Sequence, residues 1–186
     1  ATQGYANYLK AHFAAPSVAI AYDSRINSRL FAETTAGVFA ANGIRVHIYP
    51  RLMPTPSLSF AVRDLRSCGG VVITASHNPA KYNGYKVYGA DGCQITTEAA
   101  AAIQQEIDRI DPFADVHTLD FAEGLASGII AYIGEDTVER YLAAVSATSL
   151  LPEDVSRSAS IVYTPLNGTG ISCVPRCLRA HGFTNI

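Results

Sequence analysis

Residues 71–79 read VVITASHNP, a run of apolar and mostly β-branched residues that gives way to polar and turn-forming ones. A short run with no polar alternation predicts a strand that is buried on both faces of a sheet. The strand therefore presents Ser76, His77 and Asn78 at the edge of the predicted sheet. Pro79 disfavours the helical conformation at Asn78, which predicts a turn there.

Upstream of this strand, the sequence alternates between strand and helix patterns. Residues 16–22 (PSVAIAY) predict a buried strand that ends at Asp23-Ser24-Arg25. Residues 27–41 predict a helix that stops at Asn42-Gly43. Its apolar positions recur at steps of three and four residues: Leu30, Phe31, Thr34, Val38 and Ala41.

A second unit of the same kind follows. Residues 44–49 predict the next strand, and residues 50–56 predict a proline-rich turn. We expect Thr55 or Ser57 to cap a helix that ends before the glycine pair at 69–70. The strand of the opening stretch comes directly after these glycines.

The second half of the chain continues the pattern less sharply. Residues 85–88 predict a fourth strand, and a helix begins at Thr96 or Thr97 and runs to Ile110. Between 115 and 128 we expect an irregular stretch with at most one more helical turn. Residues 134–146 then predict an amphipathic helix.

The last 36 residues have a different character. Residues 151–158 (LPEDVSRS) predict a linker, residues 161–163 a new strand and residues 173–180 another helix. One strand and one helix cannot bury their own apolar faces. We therefore expect this unit to begin a second domain of a longer protein.

Short connections between alternating strands and helices favour parallel strands covered by helices on both faces. The sequence thus predicts a three-layer α/β/α domain with a mainly parallel mixed sheet over residues 1–150. The linker and the first β-α unit of a second, similar domain are predicted over residues 151–186.

Composition excludes several classes of partner. The formal net charge is −2 and like charges form no block, so we expect neither nucleic acid nor a membrane surface as a partner. No apolar run approaches the roughly 20 residues of a membrane helix. The four cysteines lack the close C-x2-C spacing of zinc or redox sites, and we expect reduced, mostly buried thiols in a cytoplasmic protein.

The chemistry that the sequence predicts centres on Ser76. In an open α/β sheet the ligand crevice lies beyond the carboxyl ends of the strands, where Arg25 and His77 also fall. A serine hydrolase would carry G-x-S-x-G and an oriented histidine base, whereas this chain has T-A-S-H-N. We expect neighbouring side chains on an extended chain to point apart. A hydroxyl that carries a phosphoryl group, with Arg25, His77 and Lys86 as cations, agrees better with the pattern.

Five motifs in order carry a resemblance to a known family. They are AYDSR at 21–25, MPTP at 53–56, TASHNP at 74–79, YNGYKVYGADG at 82–92 and VYTPLNGTG at 162–170. Together they resemble the N-terminal portion of the α-D-phosphohexomutases, which include phosphoglucomutases and phosphomannomutases. The GADGCQI segment is similar to the branch that holds phosphoglucomutase-2-like enzymes and phosphopentomutase.

The resemblance implies an isomerase that moves a phosphoryl group between the C1 and C6 (or C5) hydroxyls of a sugar phosphate. Ser76 would be the phosphoserine, and its phosphate would also contact Mg²⁺. Lys86 would be a general acid or base, and His77 and Asn78 would contact substrate. Arg25 would contact substrate or support the site from the neighbouring strand. A glucose 1,6-bisphosphate-type activator is implied as well. The sequence leaves glucose, mannose and pentose phosphates open.

The chain also departs from the family pattern. This sequence lacks four parts of the family pattern: the arginine loop, the metal loop, the sugar-recognition loop and the phosphate-binding fourth domain. Asn167 also stands where related enzymes have histidine. We therefore expect the fragment alone to be inactive and to need the remaining domains. A non-catalytic phosphosugar-binding or regulatory relative is the alternative, and a serine hydrolase is a weaker third.

Structural roles are open for each site residue as well. Ser76 could cap a turn, and His77 could make a loop hydrogen bond. Arg25 could form an ion pair without touching a ligand. Lys86 could simply protect an edge strand from pairing with other chains.

Overall fold

Five short strands form one sheet in the computed structural model, which describes residues 1–152 and 154–186. The strands are β1 (Ser17–Tyr22), β2 (Arg45–Ile48), β3 (Gly69–Ile73), β4 (Tyr85–Gly89) and β5 (Ile130–Tyr132). Their order is β4-β3-β1-β2-β5, with β4 antiparallel to β3 and the other pairs parallel. The predicted mixed, mainly parallel sheet is confirmed. The short edge strand β5 was not predicted, although its apolar run is visible between Gly128 and Gly134.

Helices cover both faces of this sheet. They are α1 (Thr2–His12), α2 (Ser28–Ala41), α3 (Thr55–Asp64), α4 (Thr97–Asp108), α5 (Phe121–Ser127), α6 (Glu135–Ser146) and α7 (Val174–Ala180). One buried cluster joins the sheet to α1, α2 and α4, and a second joins it to α3 and α6. The predicted three-layer α/β/α fold is confirmed.

The two central strands explain the apolar runs in the sequence. All five residues of β3 are buried, as are five of the six in β1. The register pairs Val18 with Gly69 and Tyr22 with Ile73, so both strands end at the same edge of the sheet. The residues that follow them, Asp23 and Thr74, are consequently neighbours.

Helix α2 buries only part of the apolar pattern that predicted it, because Val38 is buried whereas Leu30 and Phe31 are not. Leu30 and Phe31 are 56% and 43% exposed, whereas Ala32, Ala36 and Phe39 are fully buried. Small alanine side chains let the helix approach the sheet closely, and this packing outweighs the larger apolar area of Leu30 and Phe31. The predicted helix is confirmed, and of the five apolar positions that indicated it only Val38 is buried.

The start and end of α3 also correct the sequence interpretation. Neither predicted capping side chain caps the helix, because Pro54 is the N-cap residue and the Ser57 hydroxyl donates to the Pro54 carbonyl at 2.7 Å. The glycines at 69–70 do not end the helix but open β3. A Cβ atom on Gly70 would lie 2.7 Å from a Val62 methyl group, so the close contact of β3 with α3 requires glycine there.

The final segment forms the predicted helix but not the predicted strand. Residues 161–163 are irregular: Ile161 donates its N–H to the Asn185 carbonyl at 2.8 Å, and a single bond of this kind makes no ladder. A short 3₁₀ turn, Gly170–Ser172, precedes α7. Helix α7 packs on α6, with the Arg176 guanidinium 3.0 Å from Glu135.

The four cysteines are free. Cys173 is buried, Cys68 and Cys177 are half-buried, and Cys93 is exposed, so the expectation of mostly buried thiols was wrong. Cys93 is exposed because it lies in the turn after β4, where its N–H binds the Asp91 carboxylate at 2.9 Å. Burial raises the pKa of the Cys173 and Cys177 thiols, which keeps them protonated. In the described part of the chain, no helix has the length and apolarity needed to cross a membrane.

Candidate active site

A cavity of about 980 Å³ lies beyond the carboxyl ends of β1 and β3. This is the edge at which α/β sheets bind their ligands. Four of the motifs that carry the family resemblance contribute to its lining: AYDSR, MPTP, TASHNP and VYTPLNGTG. The polar residues that line the cavity include Asp23, Ser24, Arg25, Thr74, Ser76, His77, Asn78 and Asn167.

Ser76 lies on the cavity surface with its hydroxyl accessible. Its backbone is not extended, because φ is +58°, in the left-handed region that L-residues seldom adopt. Its N–H donates to the Thr74 hydroxyl at 3.0 Å. The Oγ atom lies 3.4 Å from His77 Nδ1, so the two side chains converge loosely, contrary to the expectation that they point apart. That distance is longer than an ordinary hydrogen bond and does not make a nucleophile–base pair.

The loop that carries Ser76 is closed at its base and held from within. The Thr74 N–H donates to the Gly84 carbonyl at 3.0 Å, directly where β4 begins. A Cβ atom on Gly84 would lie 2.5 Å from the Thr74 carbonyl oxygen, so the closure requires glycine. Further along, the Ile26 N–H donates to the Ala80 carbonyl at 3.2 Å, which ties the loop to the segment after β1.

Arg25 is the main support of this loop. Its guanidinium donates to the Asn78, Pro79 and Tyr82 carbonyls at 2.7, 2.9 and 3.1 Å, and also to the Ser76 carbonyl. Its side chain is only 7% exposed. The donors of the Arg25 guanidinium are thus used by loop carbonyls. This arrangement suits a residue that supports the loop better than one that contacts a substrate.

Asp23 completes the arrangement, and sequence reasoning gave it no role. Its carboxylate accepts from the Arg25 Nε at 2.9 Å, the Thr74 hydroxyl at 2.7 Å and the Ser28 hydroxyl at 2.9 Å. A threonine two residues before the serine was the available signal, because hydroxyls at that spacing often bind the local backbone. The sequence alone does not give the strand register, and the register decides which carboxylate lies next to the Thr74 hydroxyl.

The segment around Asn167 forms the opposite wall of the cavity. The Ser24 hydroxyl donates to the Asn167 carbonyl, and the neighbouring Leu166 has a positive φ of 51°. Leu166 is 83% exposed. The contact between Ser24 and Asn167 places the late TPLNGTG motif at the same cavity as Ser76.

Lys86 is the predicted site residue that the structure leaves outside the cavity lining. It lies on β4 opposite Val72 and is not among the lining residues of the cavity. Strand β4 is at the edge of the sheet, so the position also suits a lysine that protects the edge.

The described residues do not by themselves build a metal site. Within residues 1–152 and 154–186, no group of three or more His, Cys, Asp or Glu side chains is placed to hold an ion. Asp23 cannot contribute a free oxygen, because four donors already bind its carboxylate. The contact of Mg²⁺ with a phosphate on Ser76 stays a prediction from the family resemblance.

Comparison with known proteins identifies the class to which this fold and site belong. Residues 1–114 match the family described as phosphoglucomutase/phosphomannomutase, alpha/beta/alpha domain I. The chain belongs to the phosphoglucomutase/phosphomannomutase family. This agrees with the resemblance of the five motifs.

The relatives that resemble this chain are named as mutases of different sugar phosphates. The chain is 36% identical over 183 residues to a phosphoglucomutase of Staphylococcus haemolyticus, covering 98% of this chain and 33% of that protein. It is 38% identical over 181 residues to a phosphoribomutase of Saccharomyces cerevisiae, covering 91% of this chain and 29% of that protein. The chain thus spans about a third of the curated relatives that it matches.

Solved structures agree with the fold. A protein of Thermus thermophilus assigned as a phosphomannomutase matches with a TM-score of 0.66 at 32% identity, covering 78% of this chain and 30% of that one. A phosphoglucomutase/phosphomannomutase family protein from Burkholderia thailandensis matches with a TM-score of 0.65 at 18% identity, covering 97% of this chain and 37% of that one.

Proposed function

We propose that this chain is the N-terminal portion of a sugar-phosphate mutase in which Ser76 carries the transferred phosphoryl group. The observation that carries the proposal is the exposed Ser76 hydroxyl, fixed in a cavity where four motifs of the family come together. Membership of the family and similarity to mutases over nearly the whole chain support it. The proposed domains are residues 1–150 and the start of a second domain at 151–186.

The proposed reaction has two phosphoryl transfers. A sugar hydroxyl oxygen bonds to the phosphorus of phosphoserine 76, the bond from phosphorus to Ser76 Oγ breaks, and the hydroxyl proton passes to a general base. Ser76 Oγ takes up a proton as it leaves. In the second transfer Ser76 Oγ loses that proton and bonds to the other phosphorus of the sugar bisphosphate, while the bond from that phosphorus to its sugar oxygen breaks and the sugar oxygen is protonated. The exposed position of Ser76 suits both transfers, because the acceptor oxygen must meet the phosphorus nearly in line.

The other predicted site residues have proposed roles of differing support. His77 and Asn78 line the cavity beside Ser76 and are proposed to contact the sugar phosphate, whereas Arg25 is proposed to support the loop. The role of Lys86 in proton transfer rests on the family resemblance. Mg²⁺ would neutralise charge on the transferring phosphoryl group when bound to the Ser76 phosphate.

The substrate class is a hexose or pentose monophosphate. Relatives named for glucose and for ribose are about equally similar to this chain, so neither sugar is favoured. A glucose 1,6-bisphosphate-type activator is proposed to load Ser76. The four free cysteines agree with a cytoplasmic location, where thiols stay reduced.

The test is to locate phosphate on the full-length protein that contains this chain. We expect incubation with glucose 1,6-bisphosphate to place a single phosphate on Ser76, measured by intact mass and phosphopeptide mapping. Ser76→Ala should abolish the modification. Ser24→Ala removes another exposed hydroxyl from the same cavity and should leave it in place.

Phosphate found elsewhere would contradict the proposal. A full-length protein that binds glucose 1-phosphate but never carries phosphate on Ser76 would instead be the non-catalytic phosphosugar-binding relative.

A further inference from the structure

Both backbone groups of Ser76 are held by side chains, and both of these side chains lead to Asp23. On one side, the Ser76 N–H donates to the Thr74 hydroxyl, which itself donates to Asp23 Oδ2 at 2.7 Å. On the other side, the Ser76 carbonyl accepts from the Arg25 guanidinium, whose Nε donates to the same Asp23 oxygen at 2.9 Å. One carboxylate oxygen thus anchors the two supports that flank the serine.

The conformation of Ser76 needs such support. The left-handed region is unfavourable for an L-residue because its Cβ atom crowds the following carbonyl oxygen. A strained residue of this kind persists where the surrounding structure determines its conformation, and it is common where a side chain must be aimed. At Ser76 the determining contacts are the bonds to Thr74 and Arg25.

Both oxygens of the Asp23 carboxylate accept hydrogen bonds from within the protein, and the Ser28 hydroxyl is shared with Asn83 Oδ1 at 2.9 Å. Oδ1 accepts from the Arg25 N–H at 3.1 Å and the Ser28 hydroxyl at 2.9 Å, while Oδ2 accepts from Arg25 Nε and Thr74. Four donors match the roughly four lone-pair sites of an ionised carboxylate. Asp23 lines the cavity, but its side chain is only 17% exposed and both of its oxygens are bonded within the protein.

We propose that Asp23 is the positioning residue for Ser76: through Thr74 and Arg25 it fixes the direction in which the Ser76 hydroxyl faces the substrate. The inference rests on the proposed transfer of phosphate to Ser76. Asp23→Asn tests it, because the amide keeps the shape but replaces one acceptor oxygen with a donor. The amide nitrogen then faces either Thr74 and Arg25 Nε or the Arg25 N–H and the Ser28 hydroxyl. In both orientations Arg25 loses a bond to residue 23, so its support of Ser76 is weakened.

The experiment measures phosphorylation of Ser76 by glucose 1,6-bisphosphate in a single turnover of the full-length protein. Misplacing a reacting group by about 1 Å lowers a rate by about 10²-fold, and we expect a slowing of that order in the rate constant for Asp23→Asn. In the steady state, kcat should fall while the KM for the sugar phosphate stays near its wild-type value. Loss of folded protein alone would lower the amplitude of the single turnover and leave its rate constant unchanged.

A matched control is available in Asp64. Its side chain is 14% exposed and pairs with Arg140 at 2.7 Å, so it resembles Asp23 in burial and pairing but lies on α3, outside the cavity lining. Asp64→Asn should destabilise the protein without changing the rate constant. If Asp23→Asn does not fold, Thr74→Val removes one support alone and should slow the transfer about 10-fold.

The outcomes separate the two proposals. Slow transfer in Asp23→Asn with normal transfer in Asp64→Asn supports the positioning role. Phosphorylation of Ser76 at the wild-type rate in Asp23→Asn, or in Thr74→Val if that variant replaces it, overturns the positioning role and leaves the mutase proposal intact. If the wild-type protein itself never carries phosphate on Ser76, the mutase proposal fails, and the positioning role fails with it.

Discussion

At the scale of single residues, Arg25 shows that a cation lining the candidate site can serve the fold itself. Its guanidinium donates to carbonyls of four loop residues and pairs with Asp23, and its side chain is almost completely buried. A planar group with five donors can satisfy several oxygens at once, which a lysine ammonium in this position could not do with the same geometry.

Arg25→Ala is therefore expected to destabilise the fold strongly. Removal of one partner from a buried ion pair leaves an uncompensated carboxylate and several unpaired carbonyls, and the free energy of unfolding should fall by about 3 kcal/mol. Urea denaturation followed by circular dichroism measures it.

Arg29 provides the control, since its side chain is 65% exposed and pairs with Glu33 on the surface of α2. Arg29→Ala should change the urea midpoint very little. Equal losses in the two variants would show that the buried network around Arg25 adds no special stability.

The sequence was enough to predict which residues lie at the site, but not the hydrogen bonds between them. Ser76, His77 and Arg25 stood out because polar residues ended two apolar strands, and all three line one cavity. The role of Asp23 could not be predicted, because it depends on the register that places Tyr22 opposite Ile73. The left-handed conformation of Ser76 was equally hidden, since no glycine marked it.

At the scale of elements, the glycines that open β3 decide how closely α3 approaches the sheet. A Cβ atom on Gly70 would lie 2.7 Å from Val62 Cγ2 and 3.1 Å from the Ala19 carbonyl oxygen. Both neighbours are fully buried and belong to elements that cannot move freely. A strand otherwise rich in valine and isoleucine thus begins with two residues of low strand propensity for a packing reason.

Gly70→Ala should lower the free energy of unfolding by about 2 kcal/mol through overpacking. Val62→Ala removes the nearest obstructing methyl group, so the double variant should lose at least about 1 kcal/mol less than the sum of the single losses. Denaturant titration of the four proteins gives this coupling.

Val46→Ala is the matched comparison. Val46 is fully buried in β2, which is separated from β3 by β1. Gly70→Ala and Val46→Ala should therefore be additive. Equal coupling to Val62 and to Val46 would contradict the proposed contact.

Elements with strong periodicity or apolar runs were predicted correctly, whereas the choice among possible packing faces was not. The α2 sequence offers both a face with Leu30 and Phe31 and a face with Ala32, Ala36 and Phe39, and local periodicity does not rank them. Only the shape of the opposing sheet surface decides, and that surface is built from distant parts of the chain.

At the scale of the whole molecule, one glutamate links three separate segments. Glu135, at the start of α6, pairs with Arg51 from the turn after β2 and with Arg176 of α7. These arginines lower the pKa of the Glu135 carboxyl, chiefly through the hydrogen bond with Arg51. The pair with Arg176 helps to hold the last helix against the layer that contains α3 and α6.

Glu135→Gln should accelerate hydrogen exchange of the α7 amides by about 2- to 5-fold at neutral pH, as expected for an exposed ion pair. A carboxyl with a lowered pKa in the folded state stabilises it above the unfolded pKa, and this stabilisation is lost as the pH falls through the folded pKa. The difference between wild type and variant should therefore vanish on acidification. Mass-detected exchange in α7 is the measurement.

Glu139 is the control on the same helix. Its carboxylate is 4.0 Å from Arg176 and its side chain is 71% exposed. Glu139→Gln should alter exchange in α7 less than Glu135→Gln does. A difference between wild type and Glu135→Gln that persists at acid pH would show that the effect does not arise from the charge of Glu135.

The antiparallel return of β4 has a consequence for the chain entropy of the serine loop. The Thr74 N–H and the Gly84 carbonyl are hydrogen-bonded, so residues 74–84 form a closed loop. Most of the chain entropy lost in closing this loop is lost when β3 pairs with β4. Lengthening such a loop changes its closure entropy slowly, by about 0.6 kcal/mol for each doubling. Insertions or substitutions near the exposed Lys81 should therefore alter the alignment of the loop carbonyls with Arg25 more than they alter the pairing of β3 with β4. The orientation of the Ser76 hydroxyl can thus change while the sheet stays intact.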